Sequence, residues 1–293
     1  MRELRVRGEN FEVPFSRWIL ANSLVKAGIK FSVAYELAED IRREIEKEKN
    51  WVTSDEILDV TYKKLSKINR EIAERYIIWH RLKNKREPLI VLIGGASGVG
   101  TSTVALEVAK RLGVTNVIGT DIVREILRKV ISKDLIPALH SSSYNAWNHI
   151  RGGNNSVIDG FIKQVEHVSV GIDAVLKRAL NEGINLIVEG AHIVPTFVPE
   201  EYLRSPNVHI FVLSVADVNV HRNRFFLRAA NTILRRPPER YIENFEAIRE
   251  IQDYLLKCAK KYNIPVIDNV ELKSTLTYIL EAIVEKIKSK KLV

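Results

Sequence analysis

The chain has 293 residues with 45 Lys and Arg against 36 Asp and Glu, a formal charge of +9, and an ordinary globular composition of 46% hydrophobic and 28% charged residues. Its single cysteine, Cys258, excludes an internal disulfide, and no apolar run approaches the roughly 18 residues of a spanning helix. The expectation is a cytoplasmic protein of two domains without a membrane partner; the positive charge attracts anions, whether nucleic acid, a membrane surface or small phosphorylated metabolites, and by itself does not choose among them.

From Ser16 to about Arg86 the pattern is helical. Ile19, Leu20, Ser23, Leu24 and Ala27 share one face of a first helix that Gly28 stops, and Val33, Leu37, Ile41 and Ile45 share one face of a second. Thr53 followed by Glu56 is the pattern of a capping box and opens a third helical stretch. The basic string from Lys63 to Arg86 interleaves Tyr76 and Trp79 with charge. It carries no recognised nucleic-acid motif, and an amphipathic helix with a solvated basic face leading into a linker accounts for it better.

Pro88 disfavours helical geometry at Glu87, so a boundary falls near residues 84–88. A small, mainly helical domain over residues 1–87 is expected, followed by an α/β domain over 88–293. Strands are read at residues 89–94, 116–120, 185–189, 209–215 and 265–267. Their continuous Val/Ile-rich runs suit a parallel sheet covered by helices on both faces.

The first of these strands runs into GGASGVGTST, Gly94 to Thr103, and then the amphipathic helix TSTVALEVAKRL. Strand, glycine loop and helix together are the context of a phosphate loop, GxxxxGK[ST]. Backbone amides of Gly95, Ala96, Ser97, Gly98, Val99, Gly100, Thr101, Ser102 and Thr103 are then the candidate nucleotide-phosphate donors, with the helix N-terminus adding its positive dipole end. Thr101 stands where lysine is usual, so the charge of a transferring phosphoryl group needs neutralising from elsewhere. Ser102 is the candidate Mg²⁺ ligand, with Thr103 the second choice.

The second strand ends in GTDIVRE. Asp121 can accept a hydroxyl proton there while Arg124, one turn on, holds an anionic acceptor; a helix N-cap with a surface arginine is an equal alternative. A long segment follows, containing LHSSSYNAWNHIRGGNN, either an acceptor-binding cap or ordinary surface packing, and no catalytic residue is assigned to it. Glu189, ending the third strand, is a candidate second metal carboxylate, and His192 a possible substrate contact. After the fourth strand come Arg222, Arg224, Arg228, Arg235, Arg236 and Arg240. Arg224 and Arg228 sit one helical turn apart and can present two guanidinium groups to phosphate from the edge of a lid.

With GGASGVGTST, GTDIVRE, HSSSYNAW, VEGAHIVP and the late arginines, the chain from about Leu89 to its end resembles the archaeal 2-phosphoglycerate kinases, and the loop threonine matches that family's own pattern. The stretch VPFSRWILANSLVKAGI and the helices after it are similar to an ATP-cone module. This resemblance implies a P-loop kinase-like fold and transfer of the ATP γ-phosphoryl group, with Mg²⁺, to the 3-hydroxyl of 2-phosphoglycerate. The implied product is 2,3-bisphosphoglycerate, the precursor of cyclic 2,3-diphosphoglycerate. No nucleic-acid partner is implied, and oligomeric state is not legible. The rival reading is a regulatory protein that binds ATP through a lysine-free loop without transfer.

Overall fold

The computed structural model describes residues 4–8, 11–70, 72–73, 76–77, 80, 88–149, 156–231 and 237–289, with the side chains of 26, 228–231, 284 and 287–289 left aside. It divides into two compact units, Met1–Arg86 with Lys110–Gly113, and Glu87–Ala109 with Val114–Val293. Trp79, Arg151, Arg235, Arg236 and the boundary residues 84–87 lie outside the described residues. Among the described residues no helix is long and apolar enough to cross a membrane.

The N-terminal unit contains β1 (Arg5–Arg7), β2 (Glu12–Pro14), α1 (Arg17–Lys26), α2 (Phe31–Glu48), β3 (Trp51–Val52) and α3 (Ser54–Ile68). Ser16 caps α1, the Thr53–Glu56 capping box opens α3, and Gly28, at φ +99°, ends the first helical stretch. The helices differ from expectation in their buried stripe. Ile19 and Val33 are 63% and 50% exposed, whereas Ala21, Ala34 and Ala38 are fully buried beside Leu20, Leu24, Leu37, Ile41 and Ile45. Small alanines took the core positions, and the β-branched neighbours one step round each helix were left outside. The three-stranded sheet, order β2-β1-β3, was also unexpected. Strands of two or three residues are too short to show a period.

The C-terminal unit follows the pattern β4 (Ile90–Gly94), α4 (Thr101–Leu112), β5 (Asn116–Gly119), α5 (Thr120–Val130), α6 (Val157–Glu182), β6 (Leu186–Gly190), α7 (Glu200–Arg204), β7 (Val208–Ser214), α8 (Val218–Asn231), α9 (Glu239–Ile242), α10 (Phe245–Lys261), β8 (Val266–Asp268) and α11 (Leu272–Ser289). Short 3₁₀ turns at Pro137–His140 and Ser143–His149 precede α6. The five strands pair in parallel in the order β5-β6-β4-β7-β8. Every residue of β4 and β7 is buried, so the central strands are covered on both faces, as their unbroken apolar runs require. The connection from β4 runs to β5 on one side and the connection from its neighbour β6 runs past β4 to β7 on the other, so the carboxyl ends of β4 and β6 form a switch point, where ligands bind in open α/β sheets.

Candidate functional site

Register places the chemistry at one edge. Gly94 pairs with both Gly190 and Val212, and Gly119 pairs with Glu189, so the carboxyl ends of β4, β5 and β6 stand side by side. The glycine loop rises from β4. Gly98 and Gly100 adopt φ +86° and +94°, the left-handed region that glycine enters without a Cβ penalty.

The loop's carbonyls are held from behind. The Ser97 carbonyl accepts from His221 Nε2 at 2.8 Å, and the Val99 carbonyl accepts from Arg224 Nη1 at 3.0 Å and Asn269 Nδ2 at 2.8 Å. Asn269 is itself fixed, its Oδ1 accepting from the Thr275 hydroxyl at 2.9 Å. Burial keeps the His221 pKa below its ordinary value, so the ring is neutral, with its proton on Nε2 facing Ser97. Among the described residues no backbone carbonyl takes the amides of residues 95–98 or 100–103. A loop with its Ser97 and Val99 carbonyls claimed and these amides left without a carbonyl partner is prepared for an anion.

At the N-terminus of α4 the Ser102 hydroxyl donates to Glu189 Oε1 at 2.9 Å, across 87 residues of sequence. The two candidate metal ligands are therefore brought together, beside the free amides. Asp121 lies in the first turn of α5, but its N-cap is Gly119, and among the described residues Asp121 accepts no hydrogen bond. Its side chain is 67% exposed, and the nearest charge is Arg124 Nε at 3.6 Å. The N-cap alternative is thereby removed.

Arg124 is placed differently from expectation. Its side chain is 12% exposed. Its guanidinium donates to the carbonyls of Leu139 (3.3 Å) and Ser141 (2.6 Å) and to Glu125 (3.2 Å). These bonds hold the 3₁₀ segment and occupy Nη1 and Nη2, while Nε, 3.6 Å from Asp121, makes no hydrogen bond among the described residues. A second tether reaches the same segment. Gln164 Nε2 donates to the carbonyls of Ala138 (2.5 Å) and Ser141 (3.1 Å), so its Oε1 accepts from His192 Nε2 (2.9 Å), and His192 Nδ1 accepts from the Thr120 hydroxyl (2.9 Å). Thr120, His192 and Gln164 are all buried. Burial, opposed by Asp121 and reinforced by Arg124, lowers the His192 pKa to about 4. His192 is thus a neutral structural link rather than a substrate contact.

Arg224 is likewise corrected. Besides Val99 it donates to the carbonyls of Asn269 and Val270, so its guanidinium braces the loop and the turn after β8 instead of facing a transferring phosphoryl group. Desolvation lowers its pKa, yet it remains a cation. Arg228 shares α8 with it, but its side chain lies outside the described residues. Sequence reasoning missed the loop braces His221 and Asn269, the tether Gln164, and the pairing of Arg240 Nη2 with Ser142 Oγ at 2.7 Å. No local pattern marks these, because each partner is distant in sequence.

No protein-family model matches the chain. A 2-phosphoglycerate kinase from Methanopyrus kandleri is 47% identical over 289 residues, covering 98% of this chain and 88% of that protein. Another, from Methanocaldococcus jannaschii, is 43% identical over 290 residues, covering 98% and 93%. Among solved structures, a gluconokinase from Sinorhizobium meliloti 1021 aligns with 70% of this chain and 99% of its own, at 15% identity and a TM-score of 0.43.

Proposed function

The chain belongs to the 2-phosphoglycerate kinase family, and on that premise we propose that it transfers the γ-phosphoryl group of ATP to the 3-hydroxyl of 2-phosphoglycerate. That acceptor has one free hydroxyl, so the product is 2,3-bisphosphoglycerate. The observation that carries the reading is the contact of Ser102 with Glu189 beside a loop of unclaimed amides, with the exposed Asp121 on the same sheet edge.

The loop amides and the α4 N-terminus hold the nucleotide phosphates and take up part of the charge that a loop lysine would otherwise meet. Among the described residues no group of three or more His, Cys, Asp or Glu could hold a metal. That donor set suits Mg²⁺, which takes one or two protein ligands and completes its shell with phosphates and water. Ser102 and Glu189 are the residues that would hold it; when bound, it neutralises charge on the transferring group. Asp121 orients the acceptor hydroxyl and takes its proton. The hydroxyl oxygen bonds to the γ-phosphorus as the bond from that phosphorus to the β,γ-bridging oxygen breaks, the electron pair leaving with ADP. Arg124 acts as a positioning residue that holds the 137–143 segment beside Asp121. We place the reaction in the cytoplasm, and no step of it in the ATP-cone-like N-terminal unit, which contains none of these residues.

A phosphorus NMR time course with ATP, Mg²⁺ and a panel of phosphorylated hydroxy acids tests this. The expected result is a new resonance for 2,3-bisphosphoglycerate that appears only with 2-phosphoglycerate. Faster turnover of 3-phosphoglycerate or a nucleoside would overturn the acceptor, and ATP binding without acceptor-dependent ADP release would overturn the kinase.

A further inference from the structure

The acceptor carries a phosphate before it reacts, and nothing assigned so far recognises that group. Arg124 and Arg224 spend their guanidinium groups on backbone carbonyls. Arg249 donates to the Val215 and Ala216 carbonyls, and Arg222 lies over the Phe245 ring at 4.9 Å. Arg240 is different. It is exposed, and among the described residues it forms no ion pair with a carboxylate. Its hydrogen-bond partner is the Ser142 hydroxyl, at 2.7 Å, with the Tyr144 hydroxyl also in reach.

Two supports place Arg240 at the site. On one side Ser142 follows Ser141, whose carbonyl is held by Arg124 at 2.6 Å and Gln164 at 3.1 Å, and Arg124 stands beside Asp121. On the other, Tyr241 stacks on Phe225 with centroids 4.8 Å apart and planes 11° apart, and Phe225 lies directly beneath Gly98 of the loop. Arg240 is therefore tied both to the segment next to the proposed base and to the nucleotide loop. Ser142 Oγ accepts from Arg240, and the Ser142 hydroxyl also meets that of Tyr144, so the three side chains form one polar cluster. A guanidinium and a hydroxyl converging from two elements suit a phosphomonoester, which offers three acceptor oxygens and a double negative charge.

We propose that Arg240 and Ser142 form the subsite that binds the phosphate group already present on the acceptor. The inference rests on the functional reading above and adds a recognition residue to it. It explains how glycerate is discriminated from its phosphorylated form: without the phosphate, Arg240 has no anion to meet.

The test compares full-length wild-type protein with Arg240→Ala, Arg240→Lys and Ser142→Ala, measuring affinity for 2-phosphoglycerate, glycerate and inorganic phosphate, together with KM for ATP and kcat. Arg240→Ala is expected to weaken 2-phosphoglycerate and inorganic phosphate by about 30-fold or more, with glycerate affinity and the KM for ATP unchanged, since a charge-assisted pair is lost only where phosphate is present. Arg240→Lys recovers part of the loss, because a point charge remains, and Ser142→Ala loses several-fold. Equal losses for glycerate and 2-phosphoglycerate, or a fall in kcat at unchanged affinity, would show that Arg240 only orders the segment and would overturn the proposal. So would unchanged phosphate affinity. Wild-type protein that fails to phosphorylate 2-phosphoglycerate overturns the functional reading separately, and the subsite is then still decided by inorganic phosphate binding to wild type against Arg240→Ala, measured with saturating ADP so that the glycine loop is already filled.

Discussion

Gly98→Ala probes whether the loop is held in shape from behind. A Cβ at Gly98 would stand 2.5 Å and 2.9 Å from Cζ and Cε1 of Phe225 and 3.0 Å from His221 Nε2, on a residue whose φ is +86°. Two costs follow. The left-handed backbone strains an L-residue by roughly 1–2 kcal/mol. Phe225 is buried and stacked on Tyr241, so its ring must press into packed neighbours, an overpacking cost of roughly 1–3 kcal/mol. Their sum, roughly 2–5 kcal/mol, corresponds to a fall in Tm of roughly 5–15 °C for a domain of about 200 residues. Calorimetry on a double-mutant cycle separates them. In a Phe225→Leu background the colliding ring atoms are gone, so Gly98→Ala should then cost only the backbone share, roughly 1–2 kcal/mol. ATP affinity, titrated in parallel, should fall at least about tenfold in the single variant, since moving the Ser97 peptide off His221 re-aims the neighbouring amides. The same penalty in both backgrounds, with unchanged ATP affinity, would refute the bracing of the loop by α8.

Gly100→Val should abolish nucleotide binding with the circular dichroism spectrum retained, because Gly100 has φ +94° and its Cβ would stand 2.8 Å from Asn269 Nδ2; unchanged affinity would place the nucleotide elsewhere. Asp121→Asn should lower kcat by roughly 10² to 10⁴ with a modest change in KM, the range of a lost general base, and steady-state kinetics with 2-phosphoglycerate decide it. Glu189→Gln should raise the Mg²⁺ concentration required for half-maximal rate while leaving metal-free nucleotide binding largely intact, so an unchanged metal dependence counts against the Ser102–Glu189 pair. His192 supplies a pH signature. Its folded pKa of about 4 lies below the ordinary 6.5, so between these values the unfolded chain binds the extra proton and stability falls as pH drops from 6.5 toward 4, by up to about 3 kcal/mol. His209 and His221 are shifted in the same direction, so His192→Gln should flatten the slope of denaturation midpoint against pH across that window without abolishing it.

Much of the α/β unit was legible because its signals are local. Each of the five parallel strands is a short apolar run, and each expected strand matches the observed one to within a residue or two at either end. The capping box at Thr53 and the glycines at 98 and 100 declare their backbone geometry through their own side chains or lack of one. Exposed Asp121 also kept its expected place, since its position depends only on where β5 ends and α5 begins. Side-chain destinations were not local. Arg124 and Arg224 were expected to face anions, and the fold turned both onto carbonyls. A partly buried guanidinium loses water and gains by donating to carbonyls, and those of the neighbouring irregular segments took Nη1 of each arginine. The meetings of Ser102 with Glu189, His221 with Ser97 and Arg240 with Ser142 span 87, 124 and 98 residues. Sequence by itself therefore determined the loop, the sheet and the chemistry available at its edge. Tertiary structure decided which cations brace and which stay free, because that choice depends on distances between segments that only the packed sheet and helices bring together.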